Sequence, residues 1–159
     1  MADFPAGLRF SFDEAATTEI RRALGYAIDA FHARSVPFDA RRFALLLHND
    51  EGLAAGLCGV VAWQWLFVEA LWVDDAWRGR GVGTALLKRA EAHAVAAGCH
   101  SAWLDTFQAR GFYVACGYRQ FGALEDYPVG QTRHFMRKEL ATPPPPDPVP
   151  LGEGETGAR

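Results

Sequence analysis

Apolar positions along this chain recur at two different spacings, and the switches between the spacings mark its elements. Leu8 to Phe12 (LRFSF) alternates apolar and polar as a strand does. From Thr17 or Thr18 to about Arg34 the spacing becomes helical, with Ile20, Leu24, Ala27, Ile28 and Phe31 on one face. Phe43 to His48 and Leu53 to Trp65 flank Asn49-Asp50-Glu51-Gly52, turn chemistry between apolar runs, so a hairpin is expected. Leu66 to Val73 (LFVEALWV) is nearly continuous apolar sequence and predicts a strand covered on both faces. A helix from about Val82 to Ala97 follows, stopped by Gly98, then a strand over Ser101 to Thr106. Ala109 to Cys116 reads as a short helix closed by Gly117, and Tyr118 to Ala123 and Thr132 to Lys138 as final strands. The sum, β–α–β–β–β–α–β–α–β–β, is a mixed α/β sheet of six to seven strands. Its strand–helix–strand unit from Leu66 to Thr106 is a right-handed parallel crossover by the handedness rule.

Composition narrows the picture. With 159 residues, half of them apolar and 22% charged, the chain fits one globular domain over residues 1–140. Residues 141–159 break from this: four consecutive prolines and a Gly/Glu remainder offer little to bury, so a disordered tail is expected. A net charge of −3 gives no footprint for nucleic acid. No apolar run reaches the roughly 18 residues of a membrane span. Asp3 and Pro5 stand where a signal peptide carries positive charge and then an apolar stretch, so a soluble cytoplasmic protein is expected. Cys58, Cys99 and Cys116 are odd in number without C-x-x-C spacing, and the five histidines are scattered, which argues against a disulfide framework and a metal centre.

The chemistry concentrates in Leu71-Trp72-Val73-Asp74-Asp75-Ala76-Trp77-Arg78-Gly79-Arg80-Gly81-Val82-Gly83-Thr84. A strand runs into a turn with glycine at every second position, and a helix opens at once. Backbone N–H groups and the positive end of the helix dipole then converge on one spot, an anion site suited to phosphate, with Arg78 and Arg80 adding charge. A Walker A loop needs Gly-Lys-Ser/Thr, but Thr84 follows Gly83 and the nearest lysine is Lys88. The dinucleotide fingerprint from Gly79 meets Thr84 where its third glycine belongs, and from Gly81 it meets Leu86. Both fail.

Arg78 through Gly83 does fit R-x-x-G-x-G, and in this stretch the chain resembles the GNAT superfamily of N-acetyltransferases. Downstream, Leu104 to Tyr118 resembles the family's second hallmark, a strand leading into a helix with A-x-x-F-Y (Ala109, Phe112, Tyr113) before Gly117-Tyr118 opens the next strand. The resemblance spans about residues 8–140. It implies a mostly antiparallel sheet with one parallel pair that splays into a V-shaped cleft for acetyl-CoA, without a metal. Pantetheine would pair with Leu71, Trp72 and Val73, and the pyrophosphate would meet the N–H groups of Arg80, Gly81, Val82, Gly83 and Thr84 near Arg78 and Gly79. Gln108 and Phe112 would complete the cofactor site. An N–H near Trp72 would hold the oxyanion of a tetrahedral intermediate, a donor worth about 3 kcal/mol.

The same resemblance places Tyr113 as general acid for the departing thiolate. For the base, Glu69 is the first candidate, since a carboxylate inside LFVEALWV is costly unless paired, facing a cavity or functional; Asp105 within SAWLDT is the second. Phe31, His32, Trp63, Trp65 and Tyr127 are candidates to frame an amine acceptor, with Glu125 to Pro128 closing over it. The expected activity is acetyl transfer to a primary amine, of a small molecule or of a protein. A non-catalytic acyl-CoA sensor or partner subunit is the competing reading, separated by whether acetyl-CoA is consumed. Exposed aromatics are compatible with a homodimer without requiring one.

Overall fold

The computed structural model describes residues 4–5, 7–37 and 39–140. The tail expected to be disordered lies outside them. The described residues fall into two compact units, one up to residue 38 and the other from residue 39. In the first, helix α1 (Thr18–His32) begins where the Thr17 hydroxyl accepts a hydrogen bond from the Ile20 N–H at 3.4 Å. Leu8 to Phe12 forms no strand. An alternating five-residue pattern needs a paired neighbour to hold it extended, and the structure gives it none.

The second unit is a six-stranded sheet in the order β1-β2-β3-β4-β6-β5. Its elements are β1 (Arg41–Asn49), β2 (Gly52–Ala62), β3 (Trp65–Val73), α2 (Val82–Ala96), β4 (Ser101–Thr106), α3 (Arg110–Ala115), β5 (Arg119–Glu125) and β6 (Thr132–Glu139), with a single 3₁₀ turn at Asp75–Trp77. The Asn49–Gly52 hairpin forms as expected, its Asn49 side chain accepting from the Glu51 N–H at 2.9 Å. The β2–β3 turn does not fall where the apolar run suggested. Trp63 and Gln64 both take left-handed backbone (φ 48° and 64°), the two-residue turn geometry that suits strand twist, so β2 stops at Ala62 and Trp65 opens β3.

All neighbouring strands pair antiparallel except β3 and β4, which run parallel and meet only at Trp65–Phe67 against Ser101–Trp103. Phe67 stacks on Trp103 there, centroids 4.1 Å apart. Beyond Phe67 the strands part. Three bulges bend the sheet: Ala54 in β2, Glu69 in β3 and Phe121 in β5 are each the extra residue in their ladder.

One face of the sheet is closed by α2, whose Leu86, Leu87, Ala90 and Ala94 join Leu57, Leu66, Val68, Leu104 and Met136 in the core. Full burial of such a side chain contributes about 1.5–3 kcal/mol. The strand expected to be covered on both faces is covered over its first half only; Glu69, Ala70 and Trp72 are exposed, because β4 has turned away and the bulge rotates Glu69 out of the alternation.

Gly59 sits in this core with no room for a side chain: a Cβ there would lie 2.8 Å from the Phe43 ring and 3.2 Å from Leu66. Gly59→Ala should therefore lower stability by about 1–3 kcal/mol, read as a lower urea midpoint with unchanged m-value. An unaltered midpoint would mean Phe43 moves aside freely.

Candidate active site

The parting of β3 and β4 leaves the β3 edge from Val68 onward without a strand partner on that side. Directly after β3 the chain must turn back to start α2, and two ties shape the turn. The Asp74 N–H donates to the bulged Ala54 carbonyl at 2.9 Å. The Arg78 Nε donates to the Val73 carbonyl at 2.9 Å, while Nη1 pairs with Asp75 at 2.6 Å. Arg78, expected to add positive charge near the anion site, also latches the loop to the end of the strand. Gly79 and Gly81 follow with φ 72° and 79°, where a side chain would be strained although nothing would obstruct it.

Gly81 is also the N-cap of α2. It carries no capping side chain, and the first turn of α2 has no acidic residue. The first intrahelical bond is from the Ala85 N–H to the Gly81 carbonyl at 2.9 Å, so the N–H groups of Val82, Gly83 and Thr84 precede the ladder and project from the positive end of the helix dipole. Gly83 is needed for a different reason. A Cβ there would approach the Phe112 ring at 3.3 Å and Val73 at 3.6 Å, so glycine lets α2 and α3 pack closely on β3 without the Phe112 ring giving way.

These parts enclose a cavity of about 580 Å³. Eleven of the twelve expected cofactor residues line it: Leu71, Trp72, Val73, Arg78, Gly79, Gly81, Val82, Gly83, Thr84, Gln108 and Phe112. Tyr113 and Ala109 of the A-x-x-F-Y motif join them, as does Trp77, which the motifs did not single out. The twelfth, Arg80, turns aside. Its guanidinium lies 5.3 Å from the centre of the Trp77 ring and faces a neighbouring hollow between β1 and α2.

Tyr113 is 7% exposed on α3, set edge-on to Phe112 and Tyr118 at centroid distances of 5.0 and 5.8 Å. Burial, with smaller contributions from Cys116 and Asp105, pushes its phenol from near 10 up to about 12. Tyr113 is therefore protonated throughout the neutral range and can donate a hydrogen bond into the cavity it lines. Behind it, Tyr118 is pushed up as well by burial and by the Glu91 carboxylate, which Lys138 holds at 2.7 Å.

Both base candidates are ion-paired across the sheet. Glu69 meets Arg42 of β1 at 2.5 Å with a third of its side chain exposed, and Asp105 pairs with Arg133 of β6. The acceptor candidates scatter. Trp65 packs edge-on against His100 at 5.5 Å and Trp63 lies in the β2–β3 turn, both at the end of β3 opposite the cavity, so neither frames it. Phe31 and His32 belong to the α1 unit. Tyr127 alone is drawn toward a β4 side chain's partner, its ring 4.7 Å from the Arg133 guanidinium. Among the described residues no group of His, Cys, Asp and Glu could hold a metal, and no helix is long and apolar enough to cross a membrane.

Comparison with known proteins agrees with this geometry. Residues 10–118 match the acetyltransferase (GNAT) family, and the chain belongs to it. It is 50% identical over 91 residues to the blasticidin-S acetyltransferase of Streptomyces morookaense, covering 55% of this chain and 67% of that protein. An acetyltransferase of Agrobacterium fabrum is 31% identical over 84% of this chain and its own full length. A crystal structure from Agrobacterium tumefaciens superposes with a TM-score of 0.79 at 29% identity, over 84% of this chain and all of that one.

The raised Tyr113 value has a thermodynamic signature. The folded phenol titrates above its unfolded value, so its contribution is complete below pH 10 and is lost as pH rises from 10 through 12. Relative to Tyr113→Phe, the wild-type chain should lose about 2–3 kcal/mol over that interval in denaturant titrations. Parallel curves would contradict the burial of the phenol.

Proposed function

We propose that this acetyltransferase carries acetyl from acetyl-CoA to the primary amine of a small molecule by direct attack. The observation that carries the reading is the junction, in one cavity, of an unpaired strand edge, three helix-terminal N–H groups and a buried phenol. In this reading pantetheine takes the hydrogen bonds offered by the β3 edge at Leu71 to Val73. The pyrophosphate takes those of Val82 to Thr84, with Gly79 and Gly81 letting the chain approach and Gln108 and Phe112 forming the opposite wall.

Neutral amine nitrogen attacks the thioester carbon. The C–N bond forms as the carbonyl opens to an oxyanion, held by the N–H near Trp72. Collapse of the intermediate breaks the C–S bond and expels thiolate. A thiol ordinarily titrates near about 8.5, well below the Tyr113 phenol, so Tyr113 serves the departing sulfur chiefly as a hydrogen-bond donor. The amine proton passes to Glu69 through water, with Arg42 steadying the carboxylate. Antibiotic amines come first as acceptors, because the relative that shares half its aligned residues with this chain is named for blasticidin-S.

Saturating acetyl-CoA, at about a hundred times Kd, adds roughly 2.7 kcal/mol and should raise the Tm by about 5–10 °C. Gly81→Val, strained at φ 79°, should abolish that rise while the protein remains folded. No rise in the wild-type protein, freed of any co-purified ligand, would overturn the cofactor assignment. Tyr113→Phe should lower kcat about 10- to 1,000-fold with the KM for acetyl-CoA little changed, since the ring stays and only the donor goes. Glu69→Gln should displace the acidic limb of the pH–rate profile, and an unmoved limb removes Glu69 as the base.

A further inference from the structure

Resting on the acetyl-transfer reading, we propose that Arg133 is an acceptor-specificity residue, and that the acceptor class is an amine carrying a carboxylate, which the Arg133 guanidinium binds.

Side chains alternate along β4. Ala102 and Leu104 enter the core beneath α2, so Trp103 and Asp105 occupy the other face of the sheet, the face that also carries Glu69, Ala70 and Trp72 beside the splay. Arg133 reaches Asp105 there from the start of β6. Its guanidinium is flanked by two aromatic rings, with its carbon 4.7 Å from the centre of Tyr127 and 5.6 Å from that of Phe107. The loop that supplies Tyr127 is held by its own hydrogen bonds, Gly130 N–H to Asp126 Oδ1 at 2.7 Å and Gln131 N–H to the Pro128 carbonyl at 2.8 Å. The cation is therefore fixed in place.

It is also underused. A guanidinium offers five N–H donors in a planar fork. Among the described residues this one has a single hydrogen-bonded partner, through Nη1 to Asp105, and its buried Nε has none. A quarter of the side chain is exposed. The buried Nε is out of reach of a ligand, but the free Nη hydrogens of this rigid and partly open guanidinium match an external carboxylate, which can accept two N–H bonds at once.

Its position suits the reaction. Phe107 is followed at once by Gln108 and Ala109, which line the cofactor cavity, and the Asp105 charge is felt at the Tyr113 phenol. On the sheet face away from α2, the two strands that splay each carry a carboxylate paired with a guanidinium, Glu69 with Arg42 and Asp105 with Arg133. A zwitterion finds both complements: its ammonium faces carboxylates while its own carboxylate takes the fork. Asp105 becomes a positioning residue for Arg133 on this account.

The test uses paired probes, ω-amino acids from β-alanine to 6-aminohexanoate against n-alkylamines of matching carbon number, with CoA release as readout on the full-length chain. Wild-type kcat/KM should favour the amino acids at least tenfold, mainly through KM. Arg133→Gln should shrink that preference below threefold by raising the amino-acid KM, with the KM for acetyl-CoA unmoved. Arg133→Lys should restore part of it, and Asp105→Asn should weaken it. Should Arg133→Gln fail to fold, shown by its melting curve, the Lys and Asn variants carry the comparison. Equal preference in the wild type, preference untouched by the variants, or no turnover of either series overturns the proposal. The acetyl-CoA reading is judged apart, by whether acetyl-CoA still raises the Tm.

Discussion

Two parallel strands that stay together for only three residue pairs govern this structure. Backbone N–H and C=O groups are obligatory hydrogen-bonding partners, and a strand edge that faces neither water nor another strand is costly. Phe67 stacked on Trp103 closes the lower end of the gap, the bulge at Glu69 bends β3 away, and the edge beyond it is left to pair with water or with something extended. The loop, the open helix terminus and Tyr113 are arranged around that deficit. In the proposed reading the peptide-like arm of acetyl-CoA pairs there.

In the loop the two arginines are engaged with the protein itself. Arg78 spends its donors on Val73 and Asp75, and Arg80 lies over Trp77. Beside the remaining donors of Arg78, the loop offers backbone: glycines in left-handed conformation and the first turn of an uncapped helix. Arginine here fixes the angle between strand and helix, so the dipole and N–H groups point at one place without a flexible side chain having to be ordered on binding.

Sequence alone revealed what backbone geometry demands. Glycines at 79, 81 and 83, the helix they open and the aromatic pair Phe112-Tyr113 are local consequences of local residues, and α2 and α3 fall within a residue or so of expectation. Non-local pairing was invisible. LRFSF alternates like a strand but forms none, and LFVEALWV looked buried throughout because nothing in it says that β4 departs at Phe67. Placing the β2–β3 turn three residues late had a larger consequence. It moved Trp63 and Trp65 toward the acceptor side, whereas the left-handed pair at 63–64 sets them at the opposite end of the strand. The latch by Arg78 and the Asp105–Arg133 pair depend on distances between elements, which no spacing rule encodes.

An extended ligand and the strand of a neighbouring molecule ask for the same backbone bonds, so a sheet built to accept one must discourage the other. The two outer strand pairs each carry a bulge, at Ala54 against β1 and at Phe121 in β5. Bulges twist an edge and break its register, which denies an incoming chain a straight row of partners. The inner edge of β3 is bordered instead by the glycine loop and by the starts of α2 and α3, which line the recess with it. Where the sheet is bent thus sets how regular a row of backbone partners each of its edges presents.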